Sequence, residues 1–152
     1  MRQDSTAKWI VASVTVLIVI AAASIFITFH NKRQVQLGGQ LLSAQVANTT
    51  ESRTRGLSNT DPLKSNEAML FIFDQSSRWK IWMKDMRYNI DIVWLNEQKI
   101  VVHIVSQATP ESYPQEFGPD SPAKYVLELP AGFAKEHNVT EGSAASFQDY
   151  NW

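Results

Sequence analysis

The sequence predicts one membrane-spanning helix followed by a mainly-β domain, a compact β-sandwich or partly closed barrel with two short helices. Three observations carry this. Residues 9–29, WIVASVTVLIVIAAASIFITF, contain no charge, proline or glycine. Beyond them, short apolar runs of strand length alternate with Gly, Pro, Asn and Asp, the punctuation of a chain rich in turns. The 152 residues are 44% hydrophobic and hold 5 Trp, 4 Tyr and 7 Phe, enough apolar surface to build a core rather than remain disordered.

A helix over residues 9–29 would rise about 32 Å, the thickness of a bilayer core. Residues 1–8 form its N-terminal flank and 30–34 a short linker. Lys8, Lys32 and Arg33 bracket the span and Trp9 takes an interfacial position. Ala21–Ala23 offer small residues for signal cleavage, so secretion after cleavage is the alternative. The apolar IFITF that follows them favours an uncleaved anchor, with the lipid bilayer as partner through residues 9–29. Basic residues on the two flanks nearly balance and do not set the orientation. Residues 34–152 hold 10 basic and 14 acidic side chains, a net charge of −4 that disfavours nucleic acid as a partner.

The β domain is expected over 35–149, with 150–152 as a tail. Gly38-Gly39 predicts a hairpin turn within Val35–Ala47. Thr49 or Thr50 caps a short helix ending near Gly56, and Asp61-Pro62 stops any continuation. Ala68–Phe73 is apolar throughout, as in a central strand buried on both faces. Trp79–Met83, Ile90–Leu95, Ile100–Val105 and Tyr125–Leu129 read as further strands. Thr109–Pro122, with four prolines and a glycine, reads as an irregular loop. Pro130–Asn138 is read as a second short helix, and Ala144–Phe147 as a last strand.

Taken in order, VANTTESRTRGL (46–57), MLFIF (69–73), WMKD (82–85), DI (91–92) and PAKYVLELPAGFAKEH (122–137) resemble the family catalogued as domain of unknown function 192. The resemblance covers roughly residues 35–149. It implies a compact mainly-β fold, often behind an N-terminal signal or membrane segment in prokaryotes, and no established reaction. Ser58 stands where the family commonly has methionine after GL, and Thr60 where arginine is common.

Asp91 lies inside an otherwise apolar strand, where a carboxylate is unusual and needs partners. Arg53 and Lys84 are the expected partners. Together with Asp85 they would make a small polar cleft or, alternatively, a structural ion pair. Trp79, Trp82, Met83 and Trp94 form a candidate aromatic pocket, or else ordinary β core. No cysteine is present, and His30, His103 and His137 lack ligand partners at zinc spacing. No metal site is expected, and no cofactor is implied. No GxSxG element or ordered Ser–His–Asp set appears. The resulting expectation is a membrane-anchored, envelope-facing module that binds a small ligand, glycan or protein without catalysis. The alternatives are an enzyme using Asp91 with Lys84 or Arg53, and a structural subunit of a membrane complex.

Overall fold

The computed structural model describes residues 9–10, 12–19 and 32–148. Residues 9–10 and 12–19 are helical. The remainder of the expected span, residues 11 and 20–29, lies outside the described residues, as do the N-terminal flank 1–8 and the tail 150–152. Among the described residues, no helix is long and apolar enough to cross a membrane. The chain divides into two compact units, 1–32 and 33–152.

The second unit is mainly β. Its strands are β1 (Lys32–Leu37), β2 (Gln40–Ala47), β3 (Glu67–Ser77), β4 (Ile81–Trp82), β5 (Ile90–Leu95), β6 (Val101–Ala108), β7 (Glu116–Phe117) and β8 (Ala123–Pro130). Helix α1 spans Thr50–Arg55 and α2 spans Phe133–Glu136, with a 3-10 turn at Pro110–Ser112. Six strands make one mixed sheet in the order β1-β2-β3-β8-β5-β6, and β4 pairs with β7 in a two-stranded ribbon. β1 begins at Lys32, three residues before the predicted start of the domain.

Local chemistry accounts for these elements. Gly38 and Gly39 both have positive φ, the backbone a two-residue hairpin turn requires. α1 is held by a capping box: Thr49 Oγ1 accepts from Ser52 N at 3.1 Å, and Ser52 Oγ accepts from Thr49 N at 3.0 Å. Gly56 ends the helix at φ 49° and ψ −133°, a conformation that only glycine adopts without strain. α1 is the crossover that lets β2 and β3 run parallel. The other pairings around β8 and β5 are antiparallel.

The central strands are buried on both faces, and this sets the architecture. Residues 68–73 of β3, all of β5, and 125–129 of β8 are buried. Alternate residues feed two apolar clusters. Leu70, Val93, Leu127 and Phe133 lie in one, and Phe71, Ile92, Trp94 and Val126 in the other. The mainly-β expectation holds: six strands form a mixed sheet covered on both sides, with a two-stranded ribbon, and among the described residues no closed barrel forms. A sheet apolar on both faces needs cover on both, and helices, loops and the small ribbon provide it. Bridges Gln36–Ser146 and Ile100–Ala144 tie the C-terminal segment to both ends of the sheet, but no continuous ladder closes it. Ala144–Phe147 thus forms isolated bridges in place of the expected strand. The predicted irregular loop contains the 3-10 turn and β7, and the expected strand Trp79–Met83 shortens to β4.

Candidate functional site

A cavity of about 410 Å³ opens between α1 and the β4 region, over the second cluster's face of the sheet. Its walls come from Arg53 and Arg55 of α1, from Gly56–Ser58 after it, from Phe71 and Phe73 of β3, and from residues 79–82. Lys84 and Met86 complete one side, and Glu128 of β8 lies at the floor.

Arg53 is built into the wall. Its Nη1 donates to the carbonyls of Asn48 and Ile72, both at 2.8 Å, and Nη2 lies 4.0 Å from the Asp74 carboxylate. Its guanidinium carbon sits 5.2 Å from the centroid of the Phe73 ring, a cation–π contact that fixes the planar fork further. Phe73 also stacks on Trp79, with centroids 4.1 Å apart and planes 8° from parallel. Trp82 is 42% exposed and meets Tyr113 edge-on at 6.4 Å. Two indoles thus face a cavity whose other walls carry cations.

Glu128 is the residue that reasoning from the sequence passed over. It sits opposite Met69 and Ile92 in the sheet and is only 4% exposed. Its Oε2 accepts no hydrogen bond. Burial alone pushes its carboxyl up to about 8, so the group is mostly protonated at neutral pH. The signal was present in the sequence. Glu128 interrupts the apolar run Tyr125–Leu129 just as Asp91 interrupts Ile90–Leu95.

The two carboxylates have opposite fates because they lie on opposite faces. Asp91 alternates with Ile90 and Ile92, which belong to the cavity-side cluster, so its side chain enters the other face beside α2. There it is fully buried and accepts three backbone N–H bonds: Gln107 at 2.8 Å, Gly132 at 3.0 Å and Ala134 at 2.9 Å. The expected grouping of Asp91 with Arg53 and Lys84 is corrected accordingly: strand alternation separates them. Arg53 and Lys84 do share the cavity. Asp85 is exposed with φ 55°, and its carbonyl accepts from Asn59 N at 2.8 Å; it does not line the cavity.

The aromatic group divides as well. Trp79 and Trp82 line the cavity. Met83 and Trp94 are core, 1% and 0% exposed, and Trp94 Nε1 donates to the Trp79 carbonyl at 2.9 Å. Of the two family-pattern departures near the site, Ser58 lines the cavity and donates to the Lys84 carbonyl, while Thr60 shares a 2.8 Å hydrogen bond with Tyr88. Among the described residues, no group of three or more His, Cys, Asp or Glu is placed to hold a metal.

With this geometry in hand, the family can be assigned from the chain's matched length. The model of the uncharacterized ACR family DUF192 matches residues 33–147. The chain belongs to the DUF192 family. No curated protein matches it. Two crystal structures share the fold. One is of a protein from Sinorhizobium meliloti 1021, provisionally described as a transcription regulator. It is 26% identical, with 76% of this chain and 93% of that chain covered, at a TM-score of 0.72. The other is of a protein of unknown function from Novosphingobium aromaticivorans DSM 12444. It is 21% identical, with 76% and 83% covered, at a TM-score of 0.70.

Proposed function

We propose that this DUF192 protein is a membrane-anchored ligand-binding module that uses the cavity beside α1. The observation that carries the reading is Glu128: a carboxyl group nine-tenths buried, without a hydrogen-bond partner on Oε2, at the floor of a 410 Å³ cavity. Leaving a buried polar atom unpaired costs roughly 1–3 kcal/mol. A ligand that supplies the missing partner recovers that cost on binding. Cavities of this size suit small molecules, and convergent polar groups among aromatic walls are what fix a ligand's orientation.

The anchor in this reading is residues 9–29. Their uncharged composition supports it, as does the helix at 12–19, whose Val14, Val16, Leu17, Ile18 and Val19 are exposed. The domain faces the extracytoplasmic side. The test has two parts. A fragment set is titrated against the full chain in detergent while the tryptophan indole N–H signals are followed by NMR; binding at the cavity shifts Trp79 and Trp82 and leaves the core Trp94 in place. Reporters fused at the C-terminus read topology, and signal only from a cytoplasmic reporter overturns the placement.

A further inference from the structure

The geometry points to an acidic carbohydrate as the ligand: a sugar ring carrying a carboxylate or a phosphate. This rests on the reading of the cavity as a binding site and adds the chemistry of its occupant. Three features, each on a different wall, select that chemistry.

The first is charge. Arg55, Lys80 and Lys84 line the cavity, and none makes an ion pair among the described residues. With Arg53 they put four cations in the lining of the cavity, on a chain whose residues 34–152 carry a net charge of −4. A positive cavity on an acidic domain concentrates anions locally and excludes cationic ligands. Lys80 is also steered. Its side chain runs over Gly118, where an added Cβ would come within 2.5 Å of Lys80 Cδ. The absence of a side chain at Gly118 therefore leaves room for the ammonium group beside the cavity.

The second is the unpartnered Glu128 carboxyl, which needs a group able to exchange a hydrogen bond with it. A sugar hydroxyl serves whether the carboxyl is protonated or ionised, because a hydroxyl both donates and accepts. The third is the pair of indoles. Trp79 is held by its stack on Phe73, and Trp82 stands at the mouth with 42% exposure. Rings with an apolar body and a polar tip suit a ligand that is apolar on one face and hydroxylated at its edge. A simple anion would leave the indoles unused, a neutral sugar would leave the cations unused, and an aromatic acid whose one anionic group is held by the cations has no hydroxyl left to offer Glu128.

The experiment uses the full chain in an uncharged, sugar-free detergent. Glucuronate, glucose 6-phosphate, glucose and benzoate are titrated while the Trp79 and Trp82 indole signals are followed. Glucuronate or glucose 6-phosphate is expected to bind about tenfold or more tightly than glucose, and the tighter of the two identifies the anion as carboxylate or phosphate. Lys80→Ala combined with Lys84→Ala changes two exposed side chains and should remove most of that ratio. Trp82→Ala should weaken every sugar. Glucose binding as tightly as glucuronate, or benzoate more tightly than both acidic sugars, overturns the ligand class and leaves the cavity a binding site. Failure of these four probes and of the whole fragment set to move either indole overturns the binding reading as well.

Discussion

At the scale of single residues, two buried carboxylates on opposite faces of one sheet make opposite predictions. Asp91 accepts three backbone N–H bonds, from the bulged end of β6 and from the turn into α2. Asp91→Asn keeps the shape but replaces one acceptor oxygen with an amide NH2 group that faces N–H donors. It should cost about 2–4 kcal/mol, since buried donors are left unpaired and bonds to a charged acceptor are the strong ones. Denaturant midpoints of the full chain check this, and an unchanged midpoint would remove Asp91 from its structural role. Glu128 behaves in the reverse sense. Its carboxyl is raised from 4.5 to about 8 by burial, so the folded state holds a proton that the unfolded state has released. Stability therefore falls as pH rises from about 4.5 to about 8, by up to ~1.4 kcal/mol per pH unit, and levels off above that. Glu128→Gln mimics the protonated form. It should flatten the profile and be more stable than wild type at pH 9, as read by unfolding at pH 6 and pH 9. A wild-type profile that does not fall across this interval would contradict the assignment. Both carboxylates were legible in the sequence as acids inside apolar strands. Alternation within a strand says which neighbours share a carboxylate's face, but β5 and β8 are apolar on both faces, so it does not say which face meets α1. What lay across each face was not legible either, since that depends on long-range pairing between β3, β5 and β8.

At the scale of elements, the cavity depends on a six-residue helix that buries no residue of its own. So short a helix is marginal by itself and leans on its caps and on Arg53. Thr49→Ala removes the acceptor for Ser52 N and should cost about 1 kcal/mol. Because Arg53 and Arg55 ride on the same helix, ligand affinity should fall with it, and thermal melting with a parallel titration measures both. Gly118→Ala makes the complementary case. The Cβ meets only the flexible end of Lys80, so stability should stay within ~0.5 kcal/mol while anionic ligands bind less tightly. Loss of stability without loss of affinity would place Gly118 in the fold and not in the site. α1 was legible from Thr49, Gly56 and Pro62, which act locally. The β4–β7 ribbon was not. β4 lies inside the strand expected at Trp79–Met83, but β7 is two residues within a proline-rich loop and pairs with β4 across more than thirty positions of intervening chain, so no local pattern announces β7 or the pairing.

At the scale of the whole molecule, the six-stranded sheet has two edge strands, β1 and β6, and the C-terminal segment bridges to β1 and to the start of β6. Gln36 of β1 exchanges two backbone hydrogen bonds with Ser146, at 2.8 and 2.9 Å, while Ala145 N donates to the Lys99 carbonyl at 2.9 Å. Lys99 Nζ donates to the Phe147 carbonyl at 2.9 Å, and the Phe147 ring meets Tyr125 edge-on at 5.1 Å. The segment thus pairs the β1 edge and covers the first apolar cluster at once. An uncovered edge is a template for pairing with another chain, and loss of a buried Phe side chain costs about 3–5 kcal/mol. The two effects can be separated. Phe147→Ala removes the packing and keeps the edge paired, so it should lower the unfolding midpoint without changing elution on gel filtration. Deletion of residues 144–152 removes both, and should lower the midpoint further and shift elution toward associated species. A truncated chain that unfolds at the wild-type midpoint would mean that the sheet stands without its C-terminal cover. The first apolar cluster would then be covered by Phe133 and Ala134 of α2 and by Val139.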